Sequence, residues 1–188
     1  MNSFAAKIFG LTASACALAL APGVAHAEPF SGEYIGVQAG VVVLDEKLSR
    51  LSGPSTDSST EPTASLVFGY RTPISDRSPI VLGIEGDLGA ISDNINARFA
   101  VSGIAGYRIG DSALAYGRLG YAAVNDIAPN SGTDGALSFG GGVEFNLTGK
   151  LNLRADYRYE DFGKVVNFVD NVREVKAHEV TAGLLYTF

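Results

Sequence analysis

The chain has 188 residues and a formal net charge of -6, an acidic balance that argues against nucleic acid as a partner. Hydrophobic residues make up 46% of it, yet beyond the N-terminal segment no apolar run approaches the ~20 residues of a spanning helix. The single cysteine is Cys16 and the single methionine is Met1, so the rest of the chain has no thiol from which to build a disulfide framework.

Residues 1–27 have the layout of a secretory signal peptide: Lys7, an apolar stretch over 8–21, a Pro22-Gly23 break and an Ala25-His26-Ala27 cleavage site. Cleavage after Ala27 leaves a domain of residues 28–188, and loss of Lys7 takes the formal charge from -6 to -7. Ala13-Ser14-Ala15-Cys16 loosely resembles a lipobox. It lacks the usual Leu and would cut the apolar stretch short, so cleavage after Ala27 is the reading taken.

From there the chain alternates apolar and polar residues with a period of two, the signature of strands. Over 33–44, Ile35, Val37, Ala39, Val41 and Val43 oppose Tyr34, Gly36, Gln38 and Gly40. The pattern recurs over 63–71, 79–89, 96–108, 113–124 and 136–147. It is cleanest over 151–162, where Leu151, Leu153, Ala155, Tyr157 and Tyr159 alternate with Asn152, Arg154, Asp156, Arg158 and Glu160. A last segment, 174–188, puts Val180, Ala182, Leu184, Tyr186 and Phe188 on one face. This predicts eight strands of about 9–11 residues, the length that crosses a bilayer when tilted. The connections 45–62, 125–134 and 163–173 read as long loops and 109–112 and 148–150 as short turns; 90–95 is brief where a long loop is expected.

Alternation alone does not say which face meets lipid, because a soluble barrel would turn the apolar face inward. If the chain enters a bilayer, Arg154, Asp156, Arg158 and Glu160 facing lipid would together cost on the order of 10 kcal/mol, comparable to a whole domain's stability of about 5–15. They must then point inward. The same parity gathers Arg71, Arg98, Arg108, Arg118, Arg154 and Arg158 with Glu85, Asp87, Glu144, Asp156, Glu160 and Glu179 into a sign-balanced interior network. Outward aromatics Tyr70, Tyr107, Phe145, Tyr186 and Phe188 fall near one rim, as in an interfacial girdle. Tyr121, Tyr157 and Tyr159 mark a sparser upper one.

The fold predicted is all-β, an eight-stranded antiparallel up-and-down transmembrane barrel. Ile84-Glu85-Gly86-Asp87-Leu88-Gly89, Leu153 to Gly163 and the terminal Tyr186-Thr187-Phe188 resemble the small bacterial outer-membrane barrels, OmpA-like domains and the porin/opacity-type surface proteins of alphaproteobacteria. The resemblance implies a Gram-negative outer-membrane location, contact with outer-membrane lipid and the barrel assembly machinery, and an assembly signal in Tyr186 and Phe188. It brings no catalytic site.

Local chemical motifs have plainer readings. Gly110-Asp111-Ser112-Ala113-Leu114 looks like an esterase motif but lacks a base to activate the serine, and Gly-Asp-Ser is ordinary turn chemistry. His178 falls outward near the top of the last strand without the clustered ligands zinc needs. Asn130-Ser131-Gly132-Thr133-Asp134-Gly135 reads as a polar loop tip rather than a calcium loop. The Asn146-Leu147-Thr148 sequon is without force in a bacterium. Gly140-Gly141-Gly142 precedes no helix that would cradle phosphate. No catalytic residue, metal or cofactor is expected. The function read from this is a non-enzymatic outer-membrane barrel that anchors surface loops and serves envelope integrity or surface interaction, including host ligands met through 45–62, 125–134 and 163–173. The alternative is a narrow pore gated by the internal Arg/Glu network.

Overall fold

The computed structural model describes residues 29–50, 53–91, 96–125, 133–167 and 171–188. The expected signal peptide, residues 92–95 of the brief connection and residues 126–132, with Asn130, Ser131 and Gly132 of the candidate calcium segment, lie outside the described residues.

Eight strands follow in chain order: β1 (Gly32–Arg50), β2 (Gly53–Pro73), β3 (Ile80–Ile91), β4 (Asn96–Ile109), β5 (Ala113–Asn125), β6 (Thr133–Asn146), β7 (Leu151–Asn167) and β8 (Asn171–Thr187). Each pairs antiparallel with its chain neighbours, and β1 pairs with β8 to close the barrel. Starting at Tyr34, the pairing runs through Gly69, Glu85, Ser102, Gly120, Ser138, Glu160 and Ala177 and returns to β1 at Leu44, ten residues further on. With strands about 4.8 Å apart, that stagger inclines them by about 40°. Each residue along a strand then rises about 2.5 Å along the barrel axis.

The reading of 45–62 and 163–173 as loops is corrected by the structure. β1 and β2 stay in register to Arg50 and Gly53, and β7 and β8 remain paired, past a register shift between Asp161 and Lys164, to Asn167 and Asn171. β1 also keeps pace with β8 up to Ser49 opposite Val172. Pairing of β2 with β3, in contrast, stops at Thr63 and Ile91, and that of β6 with β7 at Leu137 and Asp161. Among the described residues one wall of the barrel, β2-β1-β8-β7, therefore rises above the other paired strands. The alternation fades there for a physical reason: above the bilayer both faces meet water, as the exposed run Ser55 to Thr60 shows, so neither must be apolar. The strands reach 12 to 21 residues, longer than a bilayer crossing requires.

The faces divide as the alternation predicts. Val37, Leu82, Ile84, Leu119, Phe139 and Val180 point outward and are 46–61% exposed, which is the surface lipid covers. Outward Tyr70, Tyr107, Phe145 and Tyr186 come from four different strands. By register and tilt they fall within about 5 Å of one level. The upper aromatics concentrate on one side. Phe139 packs on Tyr159 with ring centroids 4.9 Å apart, Tyr159 meets His178 edge-on at 5.0 Å, and the Tyr157 hydroxyl lies 2.8 Å from His178 Nδ1.

Candidate functional site

Inside the barrel the side chains are mostly polar, and among the described residues the arginines and carboxylates sort into two decks. The lower deck begins with Arg71 on β2, which donates to both oxygens of Glu144 on β6 at 2.8 Å. Glu144 also accepts from Arg154 on β7 at 2.7 Å, and Arg154 reaches Glu85 on β3 at 2.6 Å. Arg118 on β5 lies 2.9 Å from the second oxygen of Glu85, an ion pair without hydrogen-bond alignment, and 3.4 Å from Asp156. Two tyrosines complete this deck: Tyr34 donates to Glu85 at 2.7 Å and Tyr116 donates to Asp156. Their rings flank Arg154, whose guanidinium carbon is 5.6 Å from the Tyr34 centroid and 5.1 Å from that of Tyr116.

Glycines make this packing possible. A Cβ placed at Gly69 would fall 2.6 Å from the Tyr34 ring and hydroxyl, and one at Gly142 only 2.7 Å from the Tyr116 hydroxyl. Gly142, the last of the Gly140-Gly141-Gly142 run, thus leaves space for a ring inside the bore.

The upper deck joins Arg98 on β4 and Arg158 on β7 to Asp87, Glu160 and Glu179. Arg98 donates to Asp87 at 2.6 Å and also to Glu160; Arg158 reaches Glu179 at 3.0 Å and Asp87 at 3.3 Å. Thr63 donates to Glu179 and Ser138 to Glu160. All five arginines and six carboxylates of the two decks are at most 6% exposed. Burial of this kind is tolerated only when charges are paired and hydrogen-bonded. The links run between strands far apart in sequence, so the lattice braces the bore across its width.

Arg108, placed in the same interior set by parity, stands apart. It is half-buried at the short-turn rim and donates to the Ser78 carbonyl at 2.9 Å. The decks without it carry three arginines against three carboxylates below and two against three above. Sign balance therefore holds deck by deck only in the lower one.

Sequence parity puts Tyr34, Gln38, Tyr116 and Leu185 on the inner face without giving them roles. Gln38 lies between the decks with neither amide atom hydrogen-bonded among the described residues. A residue missed altogether is Phe30, fully buried with a φ of 63°. No period marks it, because it precedes the first strand.

The other motifs resolve locally. Ser112 is exposed in the β4–β5 turn, at the opposite end of the barrel from outward-facing His178. His178 Nε2 is 3.9 Å from Asp45. Asn146 organises the β6–β7 turn, accepting from the Gly149 N–H at 2.8 Å and donating to Asn152 at 2.9 Å. At the C-terminus Tyr186 and Phe188 pack edge-on at 5.3 Å, and Phe188 N–H donates to the Glu33 carbonyl at 3.0 Å. Among the described residues no group of three or more His, Cys, Asp or Glu is placed to hold a metal ion.

Comparison with known proteins agrees with this architecture. Neisserial surface protein A is 22% identical, with a TM-score of 0.50 over 84% of this chain and 98% of that one. OprG of Pseudomonas aeruginosa is 14% identical, with a TM-score of 0.48 over 85% and 97%. Ail, the attachment invasion locus protein of Yersinia pestis, is 18% identical, with a TM-score of 0.42 over 83% and 99%. No curated protein matches in sequence. Residues 8–188 match the family described as outer membrane protein beta-barrel domain, and the chain belongs to that family of bacterial outer-membrane barrels.

Proposed function

We propose that this protein is a closed, non-enzymatic anchor that holds the β1–β2 and β7–β8 hairpins above the outer membrane for surface contact or envelope support. The observation that carries the reading is the filled bore: an eight-stranded barrel is just wide enough for its side chains, and here eleven buried charged side chains cross-link its interior. The raised wall β2-β1-β8-β7 gives such an anchor something to present. In this reading residues 1–27 direct export, Tyr186 and Phe188 serve recognition by the barrel assembly machinery, and the short turns face the periplasm. Surface labelling tests it. Ser58→Cys should react with an impermeant thiol reagent on intact cells and Ser75→Cys, in the β2–β3 turn, only after permeabilisation; the reverse pattern would overturn it.

A second reading, a narrow pore gated by the same lattice, draws on the buried donor atoms without hydrogen-bond partners among the described residues: Arg71 Nε and Nη2, Arg118 Nε and Arg158 Nε. Such atoms leave alternative pairings open. Arg158→Ala and Glu160→Ala should then change single-channel conductance in planar bilayers, and unchanged traces in both would remove this reading.

A further inference from the structure

Each mouth of the bore carries one phenylalanine set on an apolar patch beside an unusual backbone turn. At the short-turn end Phe30 is fully buried against Val81, Ile104, Leu114 and Tyr116, one of three apolar clusters among the described residues of a mostly polar interior. Its φ of 63° lies in the left-handed region, which a bulky side chain rarely adopts unless its surroundings hold it there. The Arg71 guanidinium carbon sits 5.5 Å from its ring centroid and 4.6 Å from that of Tyr34, so the lowest arginine of the lattice is faced by aromatic rings.

At the other end Phe162 packs against Ala100, Ala122 and Ala136, inward residues of β4, β5 and β6. It lies within a β-bulge between Asp161 and Lys164. Gly163 supplies a φ of 73° and donates its N–H to Asp161 Oδ1 at 2.9 Å. A bulge of this kind re-aims a side chain, and here the ring comes to lie over three small residues that leave room for it.

We infer that the lumen is a chamber closed at both mouths by a ring, Phe30 below and Phe162 above, and that these two rings keep bulk water from the charge decks. This rests on the closed-bore reading and adds to it the groups that do the sealing. A dry chamber strengthens every ion pair within it, so the caps and the lattice reinforce one another.

Without its Cys16-bearing leader the chain has no cysteine, so single introduced thiols report cleanly. Val81→Cys lies under Phe30 and Ala136→Cys under Phe162; each is to be reacted in the folded, purified protein with a small charged methanethiosulfonate. Both should be protected relative to Ser75→Cys in the exposed turn. Phe30→Ala should speed labelling at position 81 by at least about tenfold, and Phe162→Ala that at position 136, since a tenfold change needs only a small shift in opening free energy. Phe30→Leu and Phe162→Leu, which keep an apolar cap, should preserve protection. The inference is overturned if Val81→Cys and Ala136→Cys already react as fast as Ser75→Cys with both rings in place, a comparison that needs no cap variant to fold. It is equally overturned if the Ala variants, still migrating as folded barrels on unheated gels, leave both rates unchanged. Fast labelling without ion conductance would refute the caps alone, whereas stable conductance of the native protein would refute the closed bore.

Discussion

Replacing Arg154 by methionine, which keeps length and removes charge, isolates the energetic logic of the lower deck. Arg154 is fully buried and pairs with Glu85 at 2.6 Å and Glu144 at 2.7 Å. Removing one partner of a buried ion pair costs about 3–5 kcal/mol, because the other charge stays buried. Here Arg71 still serves Glu144, and Arg118 and Tyr34 still serve Glu85. The loss should therefore fall at the lower end, about 3 kcal/mol, a large part of the ~5–15 that holds a domain together. Adding Glu85→Gln removes the excess carboxylate and leaves two clean pairs, Arg71 with Glu144 and Arg118 with Asp156. The amide carbonyl that this second substitution introduces can still accept from Tyr34. The double variant should recover about 2 kcal/mol of the loss, a coupling well above the ~0.5 expected of independent sites. Urea unfolding in lipid vesicles, followed by the shift in gel migration, measures both single variants and the double. A single variant within about 0.5 kcal/mol of wild type, or strictly additive losses in the double, would refute the view that opposite charges are retained inside for one another.

Further consequences concern the faces and the raised wall. Leu119→Arg puts a charge at an outward position that is 61% exposed, and should cost about 2–4 kcal/mol of unfolding free energy in vesicles, where a water-facing site would lose almost nothing. Gly142→Ala should cost about 1–3 kcal/mol by overpacking; because the added Cβ would clash with the Ala155 carbonyl oxygen as well as with the Tyr116 hydroxyl, the same urea titration should show only part of that cost relieved in a Tyr116→Phe background. Exchanging residues 47–56 for an Asn-Gly turn joins Glu46 to its partner Asp57 by a two-residue hairpin. It should leave the folded gel migration and unfolding midpoint of the barrel unchanged, and a collapse of either would show that the raised wall helps hold the barrel together.

How much of this could be read from residues alone follows from what hydrophobic alternation measures. Between Leu151 and Phe162 one face meets lipid and the other the lumen, and the alternation marks β7 residue by residue; over Ser55 to Thr60 both faces meet water, so a ladder that continues to Arg50 and Gly53 looks like a loop. Parity likewise assigns Arg154 and Glu144 to one face, but the partition into decks depends on the ten-residue stagger, which places strands distant in sequence at the same height. Arg108 shows the limit of parity: its face is inward, yet its height sets it at the rim beside Ser78. Phe30 lies before the first strand, where no period marks it, and Phe162 ends the regular run on the inward parity of Glu160, an apolar ring where the alternation calls for a polar residue.

The central claim is that side chains close this bore, and single-channel recording of the purified wild-type protein in planar bilayers tests it most directly. The filled lumen predicts a silent baseline broken at most by brief, small events. Large, stable openings would contradict it.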